Sequence, residues 1–189
     1  SLNSQLTSVP ACQSIIKKAV VKRLMFKHKT SVLPETGAEY KIRFMLRKNV
    51  CEIMLDTTGD GLHKRGYRRN AMEAPLRETL AATIADLGRV RRDSIVEDPF
   101  CGSGTLLIEA AQKAMNIAPG LKRRFAAERY SFVPASIWAE QRQKALAESK
   151  LDVGFEAFGY DIDPAAVALA NANAKLAGVE KRCHFEVAD

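Results

Sequence analysis

The stretch DPFCGSGTLLIEAA, residues 98–111, decides the fold of this chain. It connects a short apolar run to an amphipathic helical pattern through a loop that contains Gly102 and Gly104. Glycines between the end of a strand and the start of a helix let a ligand approach the backbone, and the first helical turn offers free N–H groups. Open α/β sheets bind ligands at this position. The stretch therefore predicts an α/β fold together with a ligand site.

Strands and helices alternate on both sides of this loop. The predicted strands are 94–98, 155–161 and 183–189, and the predicted helices are 74–88, 105–116 and 163–178. This alternation predicts a parallel, doubly wound sheet with right-handed crossovers. Residues 116–154 interrupt the pattern, and we interpret them as an insertion. The insertion contains the basic segment LKRRF, residues 121–125, and a short helix around residues 136–149.

The chain before residue 65 has a different pattern. Apolar residues recur at helical spacing over residues 10–25, and residues 39–46 and 50–56 predict a β-hairpin with one buried face. Ser8 and Pro10 are typical entry residues for the helix. Because a helix and a two-stranded hairpin bury little apolar surface by themselves, we expect residues 1–65 to belong to a larger unit or to lean on the second half.

Composition limits the possible classes of protein. The chain has 189 residues, 47% of them hydrophobic, and 29 Lys and Arg against 22 Asp and Glu give a net charge of +7. This charge suits a polyanionic partner without requiring one. The four cysteines form no CxxC pair, and no apolar run approaches the roughly 18 residues of a membrane span. We expect a cytoplasmic protein with reduced thiols, without a metal site and without membrane contact.

The glycine loop does not carry a phosphate-binding signature. The GxxxxGK[ST] pattern is absent, and Gly104 is followed by TLL instead of completing a GxGxxG run. Three acids, Asp98, Asp161 and Asp189, end the three predicted strands. An acid beside the loop would repel a phosphate but attract an ammonium group, and a strand-end acid can hold ribose hydroxyls. A cofactor with an amino-acid end, a ribose and an adenine would use all three acids.

Simpler structural explanations exist for each of these residues. The glycine loop can be a tight turn, Asp163 can cap the helix that follows it, and Asp189 can be an ordinary polar strand end. Four cations of the first helix lie off its apolar stripe and suit either RNA contact or a solvated face: Lys17, Lys18, Lys22 and Arg23. The segment HKRGYRR, residues 63–69, can contact phosphates and stack on a base, or can be a structural linker. Its candidate RNA-binding residues are Lys64, Arg65, Tyr67 and Arg68.

These motifs together resemble a known family. DPFCGSGT (98–105), GYDIDP (159–164) and APLRETLAA (74–82), with HKRGYR (63–68) and residues 3–24, closely resemble the THUMP-domain-containing large-subunit ribosomal RNA guanine-N2 methyltransferases. The resemblance implies a Rossmann-like S-adenosylmethionine-dependent methyltransferase sheet, of which residues 66–189 form the first half with three parallel strands. It implies that residues 1–65 are part of an α+β THUMP-type RNA-binding module, and that ribosomal RNA is the partner.

The resemblance also implies roles for the loop and strand-end residues. Asp98 would lie near the methionine moiety, Gly102 and Gly104 would line it, Asp161 would hold the ribose, and Asp189 would reach toward the adenine. We add three loop neighbours to the predicted cofactor site: Phe100, Ser103 and Thr105.

The sequence also departs from the family pattern. The family's catalytic motif, Asn or Asp followed by two prolines and an aromatic residue, occurs nowhere in the chain. We therefore assign no catalytic residue and expect the chain to be a fragment that is inactive alone.

Three hypotheses remain open: an RNA methyltransferase or its cofactor-binding half, a DNA amino-methyltransferase, and a non-catalytic RNA-binding fragment. Over 50 residues between Gly104 and Asp161, and no Pro-Pro-aromatic motif upstream, disfavour the DNA enzymes.

Overall fold

The computed structural model describes residues 3–68 and 76–189. The described chain contains ten helices and strands and one 3₁₀ helix, Ala126–Arg129. In chain order these are α1 (Val9–His28), β1 (Ile42–Arg47), β2 (Val50–Leu55), α2 (Glu78–Leu87), β3 (Ile95–Asp98), α3 (Thr105–Ala114), α4 (Ala135–Ala147), β4 (Glu156–Asp161), α5 (Pro164–Ala177) and β5 (Cys183–Val187). The predicted entry of the second helix at residues 74 and 75 lies outside the described residues.

The predicted parallel sheet is confirmed. Its strand order is β3–β4–β5, and both neighbouring pairs are parallel. The register pairs Asp98 with Gly159 and Asp161 with Val187. The carboxyl ends of all three strands therefore meet at one edge of the sheet, where the acids were expected.

Helix α3 fills the centre of the α/β core. Eight of its ten residues are buried, including Leu107 and Ile108. The small residues on the buried face of α5, such as Ala170 and Ala174, allow α3 and α5 to pack closely together. Burial of α3 on several sides fixes the position of the loop that leads into it.

The N-terminal half is much more exposed. Strands β1 and β2 form the predicted hairpin around Lys48 and Asn49, whose φ angles of 50° and 62° are typical of a tight two-residue turn. The prediction of one buried face is wrong for this chain, because β2 has no buried residue and β1 has only Leu46. The apolar side chains of the hairpin meet too little of the second half to be covered.

Helix α1 is confirmed but is also exposed. Its predicted cap Ser8 accepts a hydrogen bond from the Ala11 amide at 3.4 Å, and the helix contains a proline in its first turn. Cys12 is the one buried residue that it contributes. The local capping signals therefore define this helix without help from a core.

The segment predicted to be an insertion contains the 3₁₀ helix and α4 between α3 and β4, and it contacts the end of the hairpin. The Ala126 and Ala127 amides donate to the carbonyl oxygens of Thr58 and Thr57 at 3.3 and 3.1 Å. Tyr40, just before β1, stacks on Tyr130 with ring centroids 4.7 Å apart. Residues 56–64 thus attach the hairpin to the insertion.

Candidate functional site

The glycine loop spans the carboxyl edge of the sheet. It follows Asp98 at the end of β3, and the Cys101 amide donates to the Tyr160 carbonyl oxygen of β4 at 2.8 Å. This bond holds the loop across the ends of two neighbouring strands. The loop then turns into α3 at Gly104, which is the N-cap residue of the helix.

The Asp161 carboxylate organises this loop. Its Oδ2 accepts a hydrogen bond from the Gly102 amide at 2.9 Å, and its Oδ1 accepts one from the Asp163 amide at 3.0 Å. A carboxylate has about four acceptor positions, so two remain for hydroxyl donors of a ligand. Asp161 therefore suits the predicted ribose contact while it also fixes the position of Gly102.

The two glycines of the loop have different reasons to be glycine. Both have left-handed backbones, with φ of 51° at Gly102 and 75° at Gly104. A Cβ on Gly102 would meet nothing within 4 Å, whereas one on Gly104 would lie 2.8 Å from Phe185 Cζ. Gly102 thus borders open space. Gly104 is required by packing against Phe185, and the predicted contacts of both glycines with the cofactor stay predictions.

The neighbours of the glycines differ in accessibility. Phe100 is 87% exposed beside the loop. Ser103 and Thr105 are buried, and their hydroxyls lie 3.2 Å apart. The Ser103 carbonyl oxygen accepts a hydrogen bond from the buried Asn173 side chain at 3.1 Å. The hydroxyls of Ser103 and Thr105 therefore serve the frame of the loop, and their predicted contact with a cofactor stays a prediction.

Asn173 is a residue of this frame that the sequence analysis missed. It lies on the buried face of α5 among alanines, and that position in the helical period was the signal that could have identified it.

The electrostatic environment of the loop is negative. Burial first, and then the charges of Asp161 and Asp98, raise the pKa of the Cys101 thiol to about 11. The thiol therefore stays protonated near neutral pH, which argues against a nucleophilic role. The same two carboxylates would repel a phosphate and attract a cationic group.

Asp163 and Asp189 have separate positions. Asp163 caps α5, because its Oδ1 accepts from the Ala165 amide at 2.9 Å, and this confirms the capping interpretation. Asp189 lies exposed beyond the end of β5, next to Ala188, whose amide donates to the Asp161 carbonyl oxygen at 3.1 Å. That bond brings the backbone before Asp189 to the end of β4, and the predicted contact of Asp189 with the adenine stays a prediction.

The predicted RNA contact at residues 64–68 needs correction. Tyr67 is only 1% exposed, and its hydroxyl donates to Glu109 Oε1 at 3.0 Å, so no base can stack on this ring. Arg65 is paired with Glu109 at 3.3 Å and Arg68 with Glu78 at 3.8 Å, and both side chains are 12% exposed. The segment is the structural linker that was the alternative. Lys64 alone of the four remains exposed.

The largely buried side chains of residues 65–68 also contact the end of the glycine loop. Arg68 donates to the Thr105 hydroxyl at the first position of α3. Burial raises the pKa of the Glu109 carboxyl although Arg65 and Tyr67 oppose that effect. The sequence analysis missed Glu78 and Glu109, and the signal for them was an acid within the apolar pattern of each helix.

The basic residues predicted on α1 are all exposed: Lys17, Lys18, Lys22 and Arg23. Their contact with RNA stays a prediction. Within residues 3–68 and 76–189, no group of three His, Cys, Asp or Glu side chains is placed to hold a metal ion. In the same ranges no helix combines the length and the apolar character that crossing a bilayer requires.

Comparison with known sequences identifies close relatives. The chain is 42% identical over 188 residues to the putative RNA methyltransferase YpsC of Bacillus subtilis, and 42% identical over 182 residues to the ribosomal RNA large subunit methyltransferase K/L of Shewanella baltica. These alignments cover 98% and 92% of this chain. The chain spans 49% of the Bacillus protein and 25% of the Shewanella protein.

Solved structures share the fold over nearly the whole chain. A possible methylase from Clostridium difficile 630 is 41% identical with a TM-score of 0.95, covering all of this chain and 50% of its own. A predicted N6-adenine-specific DNA methylase from Listeria monocytogenes is 41% identical with a TM-score of 0.94, covering 99% and 50%. SMU.472, a putative methyltransferase complexed with SAH, is 40% identical with a TM-score of 0.90, covering 98% and 49%.

The family assignment agrees with the site geometry. Residues 65–189 match the family described as RMKL-like, methyltransferase domain. That range contains the parallel sheet, the glycine loop and all three strand-end acids. The chain therefore belongs to the family of RMKL-like methyltransferase domains.

Proposed function

We propose that this chain forms the cofactor-binding part of an S-adenosylmethionine-dependent RNA methyltransferase. The observation that carries the proposal is the open, left-handed Gly102 between the carboxylates of Asp98 and Asp161 at neighbouring strand ends. An anionic edge of this kind suits a ligand with an ammonium group and a ribose better than a phosphate. The relative SMU.472, complexed with SAH, supports the same choice of cofactor.

The residues present fit this cofactor. Asp98 would pair with the ammonium, the backbone at Gly102 and Gly104 would border the methionine portion, and Asp161 would accept from the ribose hydroxyls. Asp189 would lie toward the adenine. Phe100, the exposed aromatic beside the loop, offers apolar contact. When bound, the cofactor supplies an electrophilic methyl group on a sulfonium.

The thiol beside the loop is suited to that chemistry. Because burial and the two carboxylates raise the pKa of Cys101 to about 11, very little thiolate forms at neutral pH. The thiolate is the nucleophilic form, so a methyl donor in this loop would have no competing acceptor at Cys101.

We infer that RNA is the substrate and that residues 1–65 belong to a THUMP-type RNA-binding module. The names of the Bacillus and Shewanella relatives support RNA, and the net charge of +7 suits a polyanion. Lys17, Lys18, Lys22 and Arg23 are exposed on α1 and would contact phosphates. Four free thiols agree with a cytoplasmic location.

We further propose N2-methylguanine in large-subunit ribosomal RNA as the product. A guanine amino group is a poor nucleophile, so positioning of the amine in line with the methyl group would supply most of the rate. The target base would be flipped out or taken from an unpaired loop. The described residues would bind and orient the cofactor, and the chain by itself would be inactive because it contains no Asn/Asp-Pro-Pro-aromatic motif.

A DNA amino-methyltransferase is the second candidate, since the similar Listeria protein is described as a predicted N6-adenine-specific DNA methylase. The spacing of over 50 residues between Gly104 and Asp161 favours RNA over that alternative. A non-catalytic RNA-binding role is the third candidate, and it would require that no cofactor binds at the loop.

The test uses the complete protein with purified S-adenosylhomocysteine, ribosomal RNA and duplex DNA. Calorimetry should detect binding of S-adenosylhomocysteine, and mass spectrometry of digested nucleosides should detect N2-methylguanosine after incubation with S-adenosylmethionine and unmodified large-subunit RNA. Methyl transfer to adenine in duplex DNA would contradict the RNA proposal. RNA binding without any binding of S-adenosylhomocysteine would support the non-catalytic alternative instead.

A further inference from the structure

A broad basic cleft lies apart from the glycine loop, between the end of the hairpin and the insertion. Its volume is about 1180 Å³, and its walls come from residues 39–60 on one side and 121–142 on the other. Six cations against three acids line it, a local excess of three positive charges. The cations are Lys41, Lys122, Arg123, Arg124, Arg129 and Arg142.

The frame of the cleft is held by one buried and one half-buried arginine. Arg123 is buried, and its guanidinium donates to the carbonyl oxygens of Asp60 and Gly61 at 2.6 and 2.9 Å. Arg142 of α4 donates to Glu128 at 2.8 Å and to the Arg123 carbonyl oxygen at 2.8 Å. The Arg123 bonds join the two walls, and the Arg142 bonds brace the wall formed by residues 121–142.

Other cations around the cleft are free to contact a ligand. Lys41 and Arg129 are exposed, and within residues 3–68 and 76–189 neither side chain has a hydrogen-bond or ion-pair partner. Arg124 is 90% exposed and pairs at 3.3 Å with Glu128, whose charge Arg142 already balances. Three exposed cations therefore face the cleft, and one of its three acids, Glu128, is already paired with Arg142.

The wall also contains an aromatic pair. Phe125 and Trp138 stack with ring centroids 5.5 Å apart, and both are half-buried. Aromatic rings among cations suit a nucleic-acid strand, whose phosphates pair with the cations and whose bases contact the rings. The cleft is larger than the roughly 300–1,000 Å³ of small-molecule sites, which favours a chain of nucleotides over a single small anion.

We propose that this cleft binds the sugar–phosphate backbone of single-stranded RNA, an inference that rests on the proposed RNA-modifying function. It assigns RNA contact to Lys41, Arg124 and Arg129, in place of the buried residues of the linker. Because the contacts are charges on long side chains, the cleft would bind without base specificity. Lys41 would contact the RNA strand from the hairpin side, and Arg124 and Arg129 would contact it from the insertion side.

The test compares two triple variants of the complete protein. One replaces Lys41, Arg124 and Arg129 with alanine, and the control replaces three exposed lysines elsewhere with alanine: Lys150, Lys175 and Lys181. Both remove the same net charge. A short fluorescein-labelled single-stranded RNA is titrated at several salt concentrations, and the slope of log affinity against log salt is measured.

We expect the cleft variant to have a slope shallower by about two, since each phosphate contact in a single strand contributes about 0.7. The control should keep the slope of the unmodified protein. Arg129→Glu alone should also weaken RNA binding. Equal slopes for the cleft variant and the control would overturn the proposal. It would also be overturned if a matched duplex DNA bound more tightly than the single-stranded RNA through the same three residues.

Binding of S-adenosylhomocysteine, measured on the same samples, separates this inference from the proposed function. Retained cofactor binding with an unchanged salt slope would refute the cleft and leave the methyltransferase proposal standing. A shallower slope for the cleft variant, together with no binding of S-adenosylhomocysteine by the unmodified protein, would refute the methyltransferase proposal. The proposal for the cleft would then still stand.

Discussion

Helices α1 and α3 show how differently the two halves of this chain use similar local signals. Eight of ten residues in α3 are buried, whereas Cys12 is the one buried residue among the 20 of α1. Both helices form where the sequence predicts them. The helical pattern of the sequence therefore predicts where each helix forms, but it does not tell whether the apolar side of the helix has a neighbour.

The largest change in stability is expected from the removal of a buried charge. Glu109→Ala should lower the free energy of unfolding by about 3–5 kcal/mol, because it leaves the mostly buried Arg65 without its partner. The control Asp60→Ala removes an exposed pair with Lys64 and should change it by less than about 1 kcal/mol. Denaturant unfolding of the complete protein measures both. Equal losses of stability for the two variants would mean that the Arg65–Glu109 pair is as exposed to solvent as the Asp60–Lys64 pair.

The second test separates the two glycines. Gly104→Ala should cost about 3 kcal/mol, because its Cβ would crowd Phe185 in addition to the strain of a left-handed backbone. Gly102→Ala should cost about 1 kcal/mol, since only the backbone strain applies there. Gly102→Ala, the substitution with the smaller cost in stability, should instead weaken binding of S-adenosylhomocysteine. The reverse order of stability, measured by thermal unfolding, would contradict the packing role of Gly104.

The third test concerns the strand-end acids. Asp161→Asn should weaken binding of S-adenosylhomocysteine about tenfold, or about 1.4 kcal/mol, because it removes the charge from an acceptor of ribose hydroxyls. Asp163→Asn is the matched control, since asparagine caps a helix as well as aspartate does. Calorimetry on both variants distinguishes them. Equal affinity of the Asp161 variant and the unmodified protein would remove Asp161 from the site.

The fourth test uses pH. Burial raises the pKa of Glu109 in the folded protein above its ordinary value of 4.5. Its contribution to stability is thus fully present below pH 4.5 and is lost as the pH rises through the raised pKa. Relative to Glu109→Gln, the unmodified protein should lose at most about 1.4 kcal/mol per pH unit in that window. Parallel pH profiles of unfolding for the two proteins would contradict the burial of this carboxyl.

The smallest effect is expected on the hairpin. Ile53 of β2 is exposed, so Ile53→Ala should change the free energy of unfolding by less than about 0.5 kcal/mol. Leu107→Ala in the core of α3 should cost about 2–5 kcal/mol. A loss above about 2 kcal/mol at Ile53 in the complete protein would show that another part of that protein covers β2.

The α/β half was predictable because its signals are local and repeated. Strand–helix alternation, the glycine loop and the strand-end acids Asp98 and Asp161 all stand in the sequence at the positions that the structure gives them. Burial was harder to predict. Tyr67 lies in a run of cations that is typical of a nucleic-acid contact, yet the acid that binds its hydroxyl, Glu109, comes 42 residues later. No local pattern contains such a pairing.

The same limit explains two other errors. The alternation in β1 predicts a buried face that this chain does not have, because the period of a strand does not supply the surface that would cover it. The role of Gly104 depends on Phe185, which belongs to the last strand. The cleft beside the insertion was also invisible in sequence, because its walls come from residues 39–60 and 121–142.

The guanidinium of Arg123 has a consequence for how this protein can change over evolutionary time. It donates to the backbone carbonyl oxygens of residues 58, 60, 61 and 64, and every amino acid provides such an oxygen. Side-chain mutations at Thr58, Asp60 and Lys64 therefore leave the acceptors in place, whereas Gly59 between them has a left-handed φ of 78° and is constrained. Four of the hydrogen bonds that join the hairpin to the insertion depend on one side chain, and mutations of the acceptor residues could not replace them if Arg123 were lost.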